Sequence, residues 1–352
     1  MKYQEILQEA VRAPSGDNCQ PWRLEVRGDE IRIYNVPKRD TSLYNFRQLA
    51  SCVAHGALSE NLTIAAASHG YNVDLSFFPV LGEPDLVTVA KLREGAKTEH
   101  PLHPYLSRRC TNRRVYDGKP LAPEVRKALL GAVGTDLSGT LYLTGNDRDK
   151  GAIANVIALN DRLVFEHSKL HAFLFEHVRW TPEEAEETLD GLDLRTLELS
   201  FPDSVMFPLL KNWSLVKFLN HFGISRIISG TARKQALSAA SIGVITVPGS
   251  SPEHFLCAGR ILERVWLEAT RQGLSFQMMT GITFLMLQAV AGELQGFSEG
   301  QVELIQKARE QVFSTTGANG EVAVVFRVGK SAPPTIYSLR QRVEQVAKEI
   351  LH

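Results

Sequence analysis

The chain of 352 residues is 44% hydrophobic and 22% charged, which excludes a disordered polymer and exceeds what one ordinary core organises. Lys plus Arg and Asp plus Glu both number 39, and the resulting zero formal charge argues against a nucleic-acid partner or a polybasic membrane contact. The four cysteines (Cys19, Cys52, Cys110, Cys257) show neither a CxxC pair nor metal spacing, so reduced thiols, a cytoplasmic setting and no metal site are expected.

Residues 1–16 carry acidic side chains and lack a long apolar core, which does not predict a signal peptide. Residues 3–12 follow helical periodicity and stop at Ala13-Pro14-Ser15-Gly16. Alternation in Trp22–Val26 and Ile31–Tyr34 around Gly28-Asp29 predicts a hairpin. A long Ala-rich helix over 47–69 and strands at 72–78 and 86–93 complete a first α+β layer. A second start follows, with a helix at 123–133, a strand at 140–143 and helices over 147–177. The stretch 179–235 mixes an acidic run with Pro202, Pro208 and aromatics, a composition typical of lids and insertions. Its lysines interrupt 205–219 and leave it short of a bilayer span. A strand at 242–247, helices at 252–272 and 298–312, a strand at 321–328 and a helix at 339–351 close the chain.

Three clusters carry candidate chemistry. Residues 13–22, APSGDNCQPW, combine a helix stop with Ser15, Asn18 and Gln20 in a loop fixed by Pro14, Gly16 and Pro21. On these residues alone a plain turn with a core tryptophan is the simpler reading. Residues 108–114 hold four guanidinium groups, with Thr111 between, suited to bidentate phosphate binding or to a solvated basic turn. Phe326–Gly329 and then Ser338–Arg342 form a third cluster, readable as a strand followed by a basic helix start.

Together these segments resemble the FMN-dependent nitroreductase family. PSGDNCQPW is similar to that family's loop of Pro-Ser, Asn and Gln-Pro-Trp, which reaches the flavin from the partner subunit. Arg109-Cys110-Thr111-Asn112-Arg113 resembles its Arg-x-Ser-x-Arg/Lys motif, with Thr111 in place of Ser. The resemblance implies that Arg109, Arg340 and Arg342 hold the FMN phosphate and that Arg113 lies at the N1 and O2 edge of the ring. Gly273-Leu274 with Thr280-Gly281 is similar to the segment whose backbone N–H groups face N5 and O4. The implied cofactor-binding set is therefore Pro14, Ser15, Gly16, Asn18, Gln20, Arg109, Thr111, Arg113, Thr280, Gly281, Arg340 and Arg342, with no catalytic side chain assigned.

The order of the motifs is unusual for that family. The loop at 13–22 comes first and the arginine motif later, and neither recurs. This resembles the long, single-chain, mycobacterial Acg-type subgroup. It implies an α+β, nitroreductase-like fold of two related halves, 1–105 and 106–352, forming a pseudo-dimer with a lid at about 179–235. One complete FMN site, a functional monomer, NAD(P)H as reductant and a nitroaromatic, quinone or similar acceptor are implied with it. The alternative is an FMN-sequestering protein whose lid leaves little room for a substrate.

Other signals are set aside. His167 and His171 share a helical face without a third ligand, beside Ser168 and Lys169, and an exposed helix is expected there. Gly329-Lys330-Ser331 lacks the upstream glycine of a P-loop, no GxGxxG occurs, and Ser214–Lys217 matches Ser-x-x-Lys without its companions.

Overall fold

The computed structural model describes residues 1–350. Helix α1 (Gln4–Ala10) buries Ile6, Leu7 and Ala10, and the loop after it leads into strands β1 (Trp22–Arg27) and β2 (Glu30–Asn35). The hairpin turns at Gly28, whose φ of 61° favours a residue without a Cβ. Trp22, Leu24, Val26, Ile31 and Ile33 are fully buried, because alternate side chains of a strand point to one face. Helix α2 (Leu49–Ser68) carries small and apolar residues all round and is buried on nearly every side. Strands β3 (Tyr71–Phe77) and β4 (Leu86–Glu94) follow.

After α3 (Pro123–Gly131) and β5 (Thr140–Leu143), the chain runs through a helical excursion. It comprises α4 (Asp147–Val164), α5 (Ser168–His177), β6 (Val178–Arg179), α6 (Pro182–Thr188), β7 (Leu192–Asp193), α7 (Phe201–Leu209), α8 (Trp213–Asn220) and α9 (Ile224–Leu237). The sheet resumes with β8 (Ser241–Val247), helix α10 (Pro252–Arg271) and β9 (Ser275–Met278). Helices α11 (Gly281–Ala291) and α12 (Glu299–Thr316) precede β10 (Glu321–Gly329), and α13 (Val343–Val346) and β11 (Ala347–Glu349) end the described chain.

The two main sheets are built on one plan. Their strand orders are β11-β1-β2-β4-β3 and β5-β8-β10-β9. In each, four antiparallel strands lie so that the fourth in sequence sits between the second and third, with a long helix between the second and third strands. Those helices, α2 and α10, pack directly on each other between the sheets. The chain is thus two related α+β units joined as a pseudo-dimer.

The second unit also completes an edge of the first. Strand β11 returns from the second unit to pair in parallel with β1, Leu24 opposite Ala347. Within the second unit, Thr111 forms a parallel bridge to Phe276 at the free edge of β9.

Two sequence expectations fail. The helix predicted over 339–351, whose last residue lies outside the described residues, is over 339–350 instead extended chain, one turn of helix and a short strand. Its start is held open by the loop at 18–20: Asn18 Nδ2 donates to the Leu339 carbonyl (3.0 Å), and the Gln341 N–H donates to Gln20 Oε1 (2.9 Å). Tertiary hydrogen bonds override local propensity there. His167 and His171 are also not on an exposed face: they are 5% and 2% exposed. His167 caps α5 and stacks on Phe297, and His171 Nε2 lies 2.8 Å from the Leu210 carbonyl. All four cysteines are free. Among the described residues no helix is long and apolar enough to cross a membrane.

Candidate functional site

Four segments meet at the junction of the two units. The first is the loop after α1, where Asp17, Asn18 and Gln20 have positive φ (43°, 58° and 49°). That unusual run of left-handed residues is held from several sides. Ser15 Oγ accepts from the Gln20 N–H (2.9 Å), and Gln20 Nε2 donates to the Leu189 carbonyl (2.8 Å). Asn18 Oδ1 accepts from Arg340 (2.7 Å). The second segment runs extended along the edge of β9, so Arg109, Thr111 and Arg113 share one face. Asn112 points the other way and donates to the Ser275 hydroxyl and the Ala332 carbonyl. The third is Ser338–Arg340, and the fourth is the turn from β9 into α11, at Met278–Gly281.

These segments enclose a cavity of about 570 Å³, a size that suits a cofactor. Pro14, Ser15, Gly16, Asn18, Arg109, Thr111, Arg113, Thr280, Gly281 and Arg340 all line it. Gln20 and Arg342 do not. Gln20 is fully buried behind the loop, where its amide fastens three segments together. Arg342 is exposed and only starts α13, because the segment is extended and residues 340 and 342 are not placed as a basic helix start would place them.

The cavity is electrostatically divided. At one end Arg109 and Arg340 converge, with Arg12 close behind. Burial lowers the Arg340 guanidinium to about 9, and repulsion from Arg109 and Arg12 adds to it. Arg340 Nε has no partner. Glu263 faces this group as a fully buried carboxylate, its Oε1 3.0 Å from Arg109 Nε. Burial nevertheless pushes its carboxyl up to about 7, outweighing the pull of Arg109. The contact is an ion pair without a hydrogen bond, and Arg109 Nε and Glu263 Oε2 are both left without a hydrogen-bond partner. Arg109 also stacks over Trp266 (4.5 Å), which in turn stacks on Phe276. An excess of buried cation over carboxylate, with an idle donor, is a site for an anion.

Elsewhere on the wall stand Asp17, Asp40 and Asp161, with Tyr44, Asn160 and Gln277. Burial raises all three carboxyls, Asp161 to about 6. His177 and then Arg113 draw Asp17 back down, and at Asp40 the hydroxyl and N–H of Ser42 do so ahead of His177. The Tyr44 hydroxyl and Asn160 Oδ1 are buried without partners. A Cβ on Gly281 would lie 2.6 Å from Asn160 Oδ1, so a side chain there would displace the Asn160 amide.

The helical excursion forms the remaining wall through Leu192, Leu197, Met206, Phe207, Leu210 and Ile228. It is anchored twice just before a loosely seated helix. Gln20 holds Leu189, and Glu198 accepts from the Thr335 N–H and Arg114 Nε. Between the anchors and α8, helix α7 buries no residue, and Phe201 is 84% exposed. The aromatics of 179–235 therefore divide. Phe207 faces the cavity, whereas Trp213 packs on His171 and Phe218 lies outside, beside Phe222.

Asp17 lies inside the loop motif at 13–22 without an assigned role, and Glu263 and Trp266 lie in the predicted helix 252–272, where apolar periodicity gave no hint of a site. Tyr44, Asn160 and Asp161 carried no local signal, because they reach the cavity from separate elements. Arg327, in the third sequence cluster, is a buried strap: it donates to the Gln235 and Arg114 carbonyls and to Gln277 Oε1.

No family model matches the chain. The uncharacterized protein MT1398 of Mycobacterium tuberculosis (strain CDC 1551 / Oshkosh) is 26% identical over 361 residues, covering 98% of this chain and 48% of that protein. The chain thus spans about half the length of this curated relative. Among solved structures, one from Anabaena variabilis ATCC 29413 named for the nitroreductases is 11% identical, with 93% of this chain and 87% of that one covered and a TM-score of 0.44. The FMN-dependent nitroreductase NfnB of Mycobacterium smegmatis, in complex with NADPH, is 12% identical, with 69% and 95% covered and a TM-score of 0.38. A nitroreductase with bound FMN from Bacteroides fragilis NCTC 9343 is 10% identical, with 69% and 94% covered and a TM-score of 0.35.

Proposed function

We propose that the chain is an FMN flavoprotein of nitroreductase type that passes two electrons from NAD(P)H to a nitroaromatic, quinone or similar small acceptor. The observation that carries this reading is the cavity between the units. It gathers the loop at 14–18, the arginine segment, the start of α11 and Ser338 with Arg340, and so draws on each of the four segments on which the sequence resemblance rests.

The residues present fit the group. Arg109 and Arg340, with the hydroxyls of Ser15 and Ser338, would hold the phosphate, and the idle Nε of Arg340 supplies a charge-assisted donor. Arg113 would offer positive charge to the pyrimidine edge of the ring; its Nη1 is held by the Thr196 carbonyl at 3.0 Å. The unpartnered Tyr44 hydroxyl and Asn160 carbonyl supply a further donor and acceptor. When bound, the flavin supplies the two-electron chemistry, and the chain supplies position, charge and exclusion of water. Asp161, with its carboxyl raised to about 6, is poised to hold or yield a proton at the cavity wall near neutral pH.

In this reading the two units divide near residue 105, the second carries the lid, and one chain is the functional unit, since both units already contribute to one cavity. Sequestration of FMN is the second reading, favoured by the apolar cover of Met206, Phe207, Leu210 and Ile228. Anaerobic mixing of the flavin-loaded protein with NADH or NADPH tests the proposal. Bleaching of the flavin absorbance at a catalytic rate, followed by reoxidation with a quinone, supports the reductase. A flavin that neither nucleotide reduces leaves sequestration. Failure to bind FMN at all overturns both.

A further inference from the structure

A second cluster lies outside the cavity, on the first unit. Glu9 near the end of α1, His69 just after α2 and His103 in the turn 103–105 each place one ligand atom within 4.8 Å of the other two. The Glu9 carboxylate is divided between the rings: Oε2 lies 2.7 Å from His103 Nε2, and Oε1 lies 3.4 Å from His69 Nε2. The other ring nitrogen of His69, Nδ1, faces Glu5 Oε2 at 3.4 Å. The three side chains are about a quarter to a third exposed, so an ion can reach them and a water can complete the shell.

We propose that Glu9, His69 and His103 bind a divalent transition-metal ion, Zn²⁺ by ligand chemistry, with Glu5 orienting His69 from behind. Two imidazoles and one carboxylate leave a fourth position for water, a donor set that suits Zn²⁺ and is poor for Ca²⁺ or Mg²⁺. A carboxylate behind a ligating imidazole fixes its tautomer and raises its basicity. His69 caps the last turn of α2, where the free carbonyls favour positive charge. The ligands come from three elements far apart in sequence, which is why no metal spacing is visible in the chain.

The cluster stands behind two segments of the cavity wall. Glu9 precedes Arg12, whose Nη2 donates to the Ser107 carbonyl (3.1 Å), and His103 precedes Arg109 by less than two helical turns of chain. An ion here clamps α1 to the turn 103–105, and so fixes the bases of two segments that line the cavity. This proposal does not depend on the flavin reading.

The test is equilibrium dialysis of the chelator-stripped full chain against Zn²⁺, with Co²⁺ as a spectroscopic probe. One Zn²⁺ per chain is expected, with Co²⁺ giving the intense visible bands of a four-coordinate site. His69→Ala and His103→Ala should each weaken binding at least about tenfold, and Glu5→Gln about tenfold, while His254→Ala leaves it unchanged. Should a histidine variant fail to fold, the Co²⁺ spectrum of the parent decides. The weak bands of hydrated, octahedral Co²⁺, or equal Zn²⁺ affinity in a folded His69→Ala/His103→Ala double variant, overturns the proposal and leaves a Glu9–histidine ion pair.

Discussion

Gly56 of α2 and Gly259 of α10 each occupy the space that a side chain on the other would need. A Cβ on Gly56 would lie 2.9 Å from the Gly259 Cα and against the Leu256 carbonyl, and one on Gly259 would lie 3.0 Å from the Gly56 Cα and against the Val53 carbonyl. The relationship is reciprocal, because Val53 and Leu256 each stand three residues before the glycine of their own helix. The two helices thus cross at a point of approximate twofold symmetry, as the paired central helices of a dimer would.

The first prediction concerns that crossing. In an isolated helix Gly→Ala adds about 1 kcal/mol of stability. Here a methyl meets backbone, which cannot give way, so Gly56→Ala and Gly259→Ala should each destabilise by roughly 1–3 kcal/mol or more. Urea denaturation measures this, and an increase in stability for either variant would refute the close crossing.

The second separates Arg340 from Arg342. On the proposed flavin reading, Arg340→Gln would remove one charge-assisted hydrogen bond to the phosphate and should weaken FMN binding by about 1.5–3 kcal/mol, with riboflavin binding little changed. Arg342→Ala should leave both ligands' affinities at the parent value. Fluorescence titration with the two flavins checks the pair, and a phosphate-specific weakening in Arg342→Ala would reverse the assignment.

The third follows from Glu263. Its folded-state carboxyl is raised from 4.5 to about 7 by burial. Between those values the folded chain keeps a proton that the unfolded chain has released, so stability of the flavin-free protein declines as pH rises from about 4.5 to about 7. The decline attributable to this group is at most about 3 kcal/mol. Glu263→Gln removes the titration, and thermal melts from pH 5 to 8 should show a flatter profile than the parent, most clearly between about pH 5 and 6.5. An unchanged slope would mean that Arg109 holds the carboxylate ionised throughout.

The fourth concerns the lid. Phe207→Ala or Met206→Ala removes apolar cover from the cavity and should speed flavin reduction by NAD(P)H or admit bulkier acceptors. Trp213→Ala should instead act on stability, through its packing on His171, and Phe218→Ala should do little. Stopped-flow reduction of folded variants distinguishes them. Equal rates in Phe207→Ala, Met206→Ala and the parent would show that the segment is not a gate.

Local patterns in the chain were enough to encode the pair of α+β units and many of the residues that line the cavity. Period-two alternation in Trp22–Val26 and Ile31–Tyr34, and helical periodicity in 252–272, are signals that tertiary structure preserved. Arg109, Thr111 and Arg113 were legible because one extended segment carries all three, so spacing in the chain equals spacing on the face. Tertiary structure settled the rest. Whether 339–342 continued as helix depended on Asn18 and Gln20, more than three hundred residues away, capturing its backbone groups. That choice kept Arg340 in the cavity and left Arg342 outside. Tyr44, Asn160 and Asp161, like Glu9, His69 and His103, meet only because separate elements pack together, and no local pattern encodes a meeting of that kind.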